Sequence, residues 1–291
     1  MSFGRRRFLK GAALLGAAGA TGTLPALAAD ADDSPKAERV TFLVPGLDPA
    51  HEGLRVAQLS DIHVGPRTPV PLIRAAIDAA NRFEPDLVVL TGDYVSRRRA
   101  EVAGVREHLS GLRAPVVAVL GNHDVWVDPA GIAGALRSHG YEVLENQWTE
   151  LRLRGAPLAI VGIGDRMTHR DDVAAALRGL PPRVTAPLVL AHGPRTAEKL
   201  AAIGRAALCL SGHTHGGQVN LPLVTPLLLA SIREPYARGS YQLGPVRLYV
   251  NRGVGMSGIP VRVNAPAEVT LATLRAAPPP TRTGHTTPAA G

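Results

Sequence analysis

Five short apolar runs in this chain stop at an aspartate, an asparagine or a histidine, and that pattern narrows the fold more than any other feature. Leu54–Ser60 runs into Asp61-Ile62-His63, and Leu87–Leu90 into Thr91-Gly92-Asp93. Pro115–Leu120 runs into Gly121-Asn122-His123-Asp124, and Leu188–Ala191 into His192. Ala206–Leu210 is followed by Gly212-His213-Thr214-His215. The runs are continuous in Val, Leu and Ala rather than alternating, as strands covered on both faces are. Further strands are expected at Pro157–Ile163, Val246–Val250 and Glu268–Leu274, and helices at Val70–Phe83, Ala100–Leu112 and Pro129–His139. Strands alternating with helices predict a layered α/β fold. In open α/β sheets ligands bind beyond the carboxyl ends of the strands, where the polar residues of this chain gather.

The remaining composition excludes several alternatives. With 45% hydrophobic and 19% charged residues in 291, the chain can bury a sizeable core and is not globally disordered. A single cysteine, Cys209, rules out a disulfide framework and a cysteine-rich zinc site, and reads as a small buried hydrophobe. Aromatics at 4% argue against stacking platforms for single-stranded nucleic acid. Four of the 32 basic residues, Arg5, Arg6, Arg7 and Lys10, lie in residues 1–28, which hold no acid, so the rest carries +4 of the formal +8. That excess favours anionic partners without selecting one.

Residues 1–28 have the layout of a signal peptide: Arg5-Arg6-Arg7-Phe8-Leu9-Lys10, a weakly apolar run to about residue 24, then Ala26-Leu27-Ala28. The arginine pair resembles a twin-arginine signal. The expected organisation is a twin-arginine signal peptide at 1–28, a polar linker at 29–39, one domain at 40–276 and a disordered Pro/Thr-rich tail at 277–291. The stretch Leu221–Ala230 reads either as buried packing or as an apolar rim for an amphiphilic substrate or a membrane surface.

Half of the 10 histidines fall in the five clusters. A lone Asp-x-His arises by chance in a chain of this composition, whereas Gly-Asn-His-Asp is expected only about 0.001 times. Imidazole nitrogens and carboxylate oxygens suit Zn, Mn, Fe or Mg. So many ligands exceed the needs of one tetrahedral ion and suit a pair of ions, an arrangement used for phosphoryl chemistry.

In this order the clusters resemble the calcineurin-like metallophosphoesterase superfamily across about residues 54–275. Gly212-His213-Thr214-His215-Gly216-Gly217-Gln218, Tyr249–Gly255 and Pro260-Val261-Arg262 are similar to its exported, YkuE-like bacterial branch. The resemblance implies a four-layer α-β-β-α sandwich with two mixed central sheets. It implies two divalent cations (Mn, Fe or Zn), the first held by Asp61, His63 and His215, the second by Asn122, His192 and His213, with Asp93 bridging. His123 would be the non-ligand acid at the leaving oxygen, and Asp124 would orient and charge it. Ser96 stands where purple acid phosphatases carry a tyrosine ligand, and Val64 where protein phosphatases carry glycine. Arg97 falls where the latter contact phosphate, but also belongs to the basic run Arg97–Arg99.

The expected activity is hydrolysis of a phosphodiester or pyrophosphate by a metal-bridging hydroxide, on a lipid- or cell-wall-related substrate. The protein would leave the cytoplasm through the twin-arginine export machinery, to the periplasm, cell wall or medium, or stay anchored by an uncleaved signal. Two alternatives remain at this point: a nuclease of the same superfamily, disfavoured by the lack of a nucleic-acid motif, and a non-catalytic protein binding cell-wall polyanions.

Overall fold

In the computed structural model the described residues are 34–221, Thr225, Leu229 and 234–277. The expected signal peptide, the start of the linker, the tail beyond residue 277 and most of Leu221–Ala230 lie outside them. Thr225 and Leu229, from the last of these, are both buried.

In chain order the elements are β1 (Lys36–Val44), β2 (Leu54–Leu59), α1 (Val70–Arg82), β3 (Leu87–Thr91), α2 (Glu101–His108), β4 (Val116–Val119), α3 (Asn122–Val127) and α4 (Pro129–Arg137). Then follow β5 (Glu142–Val143), β6 (Gln147–Leu153), β7 (Ala156–Ile163), α5 (Val173–Leu177), β8 (Leu188–Ala191), α6 (Thr196–Ala202), β9 (Ala207–Ser211), β10 (Gly239–Leu243), β11 (Val246–Val250) and β12 (Glu268–Ala276). They form two six-stranded sheets, ordered β1-β12-β2-β3-β4-β5 and β10-β11-β9-β8-β7-β6. Both are mixed: β12 runs antiparallel to β2, β6 to β7 and β10 to β11, and the other pairs are parallel.

Each central strand sends alternate side chains to two apolar layers, which is why its sequence shows no polar alternation. Leu54 and Val56, Leu87 and Val89, and Val117 and Val119 meet Ile160, Leu188, Leu190, Leu208 and Leu210 between the sheets. Ala57, Leu59, Val88, Leu90 and Ala118 turn the other way, onto Leu72, Ile73, Ala76 and Ile77 of α1 and Ile132 and Leu136 of α4. On the second sheet Val161, Val189, Cys209 and Leu248 meet Val173, Ala176, Ala197 and Leu200 of α5 and α6. Three apolar layers between four tiers of backbone make the expected α-β-β-α sandwich.

Helix α1 shows how locally the pattern is set. Its buried residues Leu72, Ile73, Ala76, Ile77, Ala79 and Ala80 line one face. Prolines 69 and 71 frame its start, and Glu84 in the left-handed region (φ 47) followed by Pro85 ends it. The helix expected over Ala100–Leu112 stops at His108, because Ser110-Gly111 follow and Gly111 takes φ 99. The linker expected over 29–39 is shorter: its last residues, Lys36–Arg39, pair with Glu268–Leu271 as the start of β1. They read as linker because β1 is an edge strand with its polar side chains outward.

Candidate metal centre

Five loops, after β2, β3, β4, β8 and β9, converge at one rim of the sandwich. Backbone hydrogen bonds continue the strand pairing into them: Asp61 N–H donates to Gly92 O (2.9 Å), His63 N–H to Asp93 O (3.0 Å) and Gly212 N–H to His192 O (3.1 Å). Asp61, His63, Asp93, His213 and His215 all adopt positive φ, between 47° and 76°. Non-glycine residues seldom do so, and such conformations persist where the surroundings dictate them, commonly at functional sites. At Gly212 the requirement is space: a Cβ there would collide with Ser60 Oγ and Asp61 Oδ2.

The side chains form two groups, Asp61–His63–His215 and Asp93–His192–His213, in each of which one ligand atom per residue lies within 4.8 Å of the others. In the first, His63 Nε2 faces His215 Nε2 at 3.0 Å, and His215 Nε2 lies 3.4 Å from Asp61 Oδ1. In the second, His192 Nε2 lies 3.2 Å from Asp93 Oδ2 and 3.3 Å from His213 Nδ1. Asp93 Oδ2 also lies 3.7 Å from His63 Nε2, so this carboxylate stands between the groups. Two tautomers follow from the outer contacts. His63 Nδ1–H donates to Val95 O (3.0 Å) and His192 Nδ1–H to Thr91 O (2.8 Å), which turns both Nε2 atoms inward.

Asn122 is buried beside them, and its Oδ1 has no hydrogen-bond partner. A buried carbonyl oxygen without a donor is costly, and a cation satisfies it. Together with two convergent carboxylate–imidazole groups, this donor set fits a pair of divalent cations.

Charge and burial set the proton affinities. Burial pushes the His63 and His213 imidazoles down to about 4, and His215 well below its ordinary value with help from His63 and Arg262. These three are neutral at neutral pH, as metal ligation needs. Burial acts the same way on His192, but Asp93, by charge and hydrogen bond, overcomes it and raises His192 well above its usual range. Burial opposes ionisation of Asp93 too, yet His192 and His63 hold its carboxyl well below the normal carboxylate range. Burial raises Asp61.

His123 stands apart from both groups. Its N–H donates to Asp93 Oδ1 (2.9 Å), its ring Nδ1–H donates to Ser96 O, and its ring packs edge-on to His63 and Trp126. Asp124 corrects the expected pairing. Its carboxylate does not orient the His123 ring; it accepts N–H groups from Asp93 (2.8 Å), Tyr94 (2.8 Å), Val95 (3.3 Å) and Gly121 (2.8 Å). It is a buried clasp between the loops after β3 and β4, with its carboxyl pushed up to about 8 by burial and by Asp93. Arg97 is exposed, and its backbone N–H donates to Glu101 Oε2 (2.9 Å).

Two buried residues at the rim went unassigned in the sequence. Asp165 sits two residues past β7, buried, with Oδ1 unpartnered. A strand end followed by aspartate is the same signal that marked Asp61 and Asp93, and it would have found this one. Arg262, in Pro260-Val261-Arg262, donates to Gly255 O (3.1 Å), Ala265 O (2.9 Å) and Gly253 O (3.0 Å), and its Nη2 lies 3.4 Å from His215 Nδ1. It ties the loop after β11 against the first group, and no local pattern marks a buried arginine. His51 belongs elsewhere: it is buried, with Nε2 at 3.1 Å from Leu153 O. Cys209 is buried, its thiol pushed up to about 12 by burial.

The chain is 32% identical over 284 residues to the uncharacterized metallophosphoesterase YkuE of Bacillus subtilis, covering 93% of this chain and 97% of that protein. It is 34% identical over 226 residues to the phosphodiesterase YaeI of Escherichia coli, covering 75% and 80% of the two chains. It is 31% identical over 264 residues to a transmembrane protein with metallophosphoesterase domain from Danio rerio, covering 85% of this chain and 59% of that one. The calcineurin-like phosphoesterase family model matches residues 54–217, the stretch that carries all nine expected site residues from Asp61 to His215. The chain therefore belongs to the calcineurin-like phosphoesterase family, and is a metal-dependent phosphoester hydrolase.

Proposed function

We propose that this protein is a phosphodiesterase that works with two divalent cations, one held by Asp61, His63 and His215, the other by Asn122, His192 and His213, with Asp93 shared. The observation that carries this is the convergence of imidazole nitrogens and carboxylate oxygens into two groups, with the Oδ1 of buried Asn122, next to His123 in the loop after β4, left without a hydrogen-bond partner. When bound, the cations supply charge neutralisation at the phosphoryl oxygens and acidify water. The protein's part is to hold the ligand atoms in place before substrate arrives, through the bonds of His63 to Val95 O, His192 to Thr91 O and both Asp61 oxygens to His213 N–H.

His123 is the proton donor to the departing oxygen. Its Nδ1–H is committed to Ser96 O, so Nε2 is the nitrogen that faces substrate and gives up its proton there. Ser96 O performs the orienting role expected of Asp124. The preference for a diester is supported by the name of the Escherichia coli relative, a phosphodiesterase. Export through the twin-arginine route belongs to the same proposal, supported by Arg5-Arg6, Phe8-Leu9-Lys10 and Ala26-Leu27-Ala28.

The test is hydrolysis of bis(p-nitrophenyl) phosphate after loading with Mn(II). Parent protein is expected to turn over, and His123→Ala to lose about 100-fold in kcat while retaining both metals. Equal rates in the two proteins would remove His123 from the mechanism, and a clear preference for p-nitrophenyl phosphate would overturn the diester assignment.

A further inference from the structure

Near the mouth of the metal centre stand large apolar side chains that are exposed among the described residues. Trp126 is 59% exposed, Met167 48% and Ile259 51%. Scattered exposed hydrophobics are ordinary, but the positions of these three are not scattered. Trp126 lies in α3, four residues past Asn122, with its ring against His123 (5.3 Å between centroids). Met167 lies in the loop after β7, two residues past Asp165, and its neighbour Arg166 packs against Gly193, the residue after His192. Ile259 lies in the loop after β11. That loop is fixed against the first ligand group by Val254 N–H to Ser60 O (2.9 Å) and Gly255 N–H to Asp61 O (2.7 Å). Gln218, three residues past His215, donates through Nε2 to the carbonyl of Ile259 (2.9 Å), which brings Ile259 beside the loop that carries His215.

In the loops after β2, β3 and β4 the charge left exposed is positive. Asp61, Asp93 and Asp124 are buried there, and Asp128 is paired with Arg99 (2.8 Å). Glu101 is turned inward onto the N–H groups of Ser96 (2.8 Å) and Arg97 (2.9 Å). Arg97 and Arg98 are left as exposed cations beside Trp126's loop. Separate apolar side chains around an opening, one of them a tryptophan, interleaved with arginines, suit the headgroup boundary of an anionic bilayer better than the continuous apolar patch of a protein partner.

We propose that this rim is a docking face for an anionic phospholipid bilayer, with Trp126, Met167 and Ile259 inserted at the headgroup level and Arg97 and Arg98 on the lipid phosphates. The inference deepens the phosphodiesterase reading and rests on it for why a membrane should lie at the mouth of the metals. Among the described residues no helix is long and apolar enough to cross a membrane, and the proposed contact is made by side chains at the headgroup level.

The test uses the full chain carrying Trp148→Phe, which leaves Trp126 as the single tryptophan. With phosphatidylglycerol vesicles, its emission is expected to shift to shorter wavelength and its quenching by acrylamide to fall; phosphatidylcholine vesicles should do neither. Met167→Glu with Ile259→Glu should restore full quenching, and Arg97→Ala with Arg98→Ala should raise the lipid needed for half the shift by about tenfold. Should Trp148→Phe not fold, quenching of the unsubstituted chain by brominated lipid, lost in Trp126→Phe, gives the same reading. Vesicle binding with Trp126 still open to acrylamide would overturn the proposal, since the basic N-terminal segment alone would then make the contact. These readouts need no turnover, and Met167→Glu with Ile259→Glu should leave bis(p-nitrophenyl) phosphate hydrolysis unchanged. Failure of docking and failure of the phosphodiesterase reading are thereby separable.

Discussion

His192 sets how the centre responds to pH. It is fully buried, and Asp93 keeps its imidazole protonated well above the ordinary range in the metal-free protein. The second cation needs that Nε2 as a lone pair, so uptake must expel the proton, whereas His63 and His213, held near 4, have none to lose. Affinity for the second cation should therefore tighten as pH rises, by up to about tenfold per unit, and close to one proton per ion should be released from His192. Calorimetric titration in two buffers of different ionisation enthalpy checks this; uptake without proton release would mean that His192 enters the site neutral. Asp124 differs in kind, because its oxygens are spent on four backbone N–H groups. Its place next to His123 in sequence made it look like a partner of that ring, but successive residues of a helix point in different directions, and Asp124 points down into the fold.

Between elements, a buried polar network outside the centre joins β11 to β12 and β1. Glu268 on β12 accepts from Tyr249 Oη–H (2.8 Å) and Thr270 Oγ1–H (2.7 Å) and pairs with Arg252 (2.9 Å), which also reaches Glu38 on β1 (3.1 Å). The Arg252 and Glu268 side chains are only 11% and 2% exposed, so removing Glu268 leaves Arg252 with Glu38 alone and takes the acceptor from the Tyr249 and Thr270 hydroxyls. Glu268→Ala is expected to cost about 1–3 kcal/mol, with Glu268→Gln milder, as read from denaturant midpoints. None of this network was legible in the sequence, because its members look like ordinary polar residues at strand ends. The central strands were legible because both of their faces are apolar. Edge strands β6 (Gln147–Leu153) and β10 (Gly239–Leu243) were not: one side of each meets solvent, and their mixed sequences read as loop. Helices α3, α5 and α6, of 6, 5 and 7 residues, are too short to show a helical period. The ligand residues were legible for a different reason, since histidine and aspartate repeated at strand ends exceed what turn chemistry requires.

For the whole molecule, the centre is a place where polar side chains of both sheets converge. Asp61, His63, Asp93 and Asn122 come from loops of the first sheet and His192, His213 and His215 from the second, while beneath it the sheets meet through apolar side chains, the bond of Gln58 Nε2 to Ser211 O (3.0 Å) and the Tyr249–Glu268 network. Cations that bind this set bind only the docked sandwich, so metal should raise thermal stability and a chelator lower it. At a hundredfold excess over Kd the gain is about 2.7 kcal/mol, visible as a rise in Tm on scanning with and without Mn(II). An unchanged Tm at saturating metal would mean that the ligands do not bridge the sheets. The position of β12 adds a constraint in time. This last strand lies between β1 and β2, the first two made, and it also anchors the loop that packs Gly253 and Gly255 against Asp61. A ribosome must therefore finish the domain before its opening strands can find their neighbour. Until then the first ligand loop lacks a wall, and a nascent or truncated chain that still carries every metal ligand remains unable to assemble the centre.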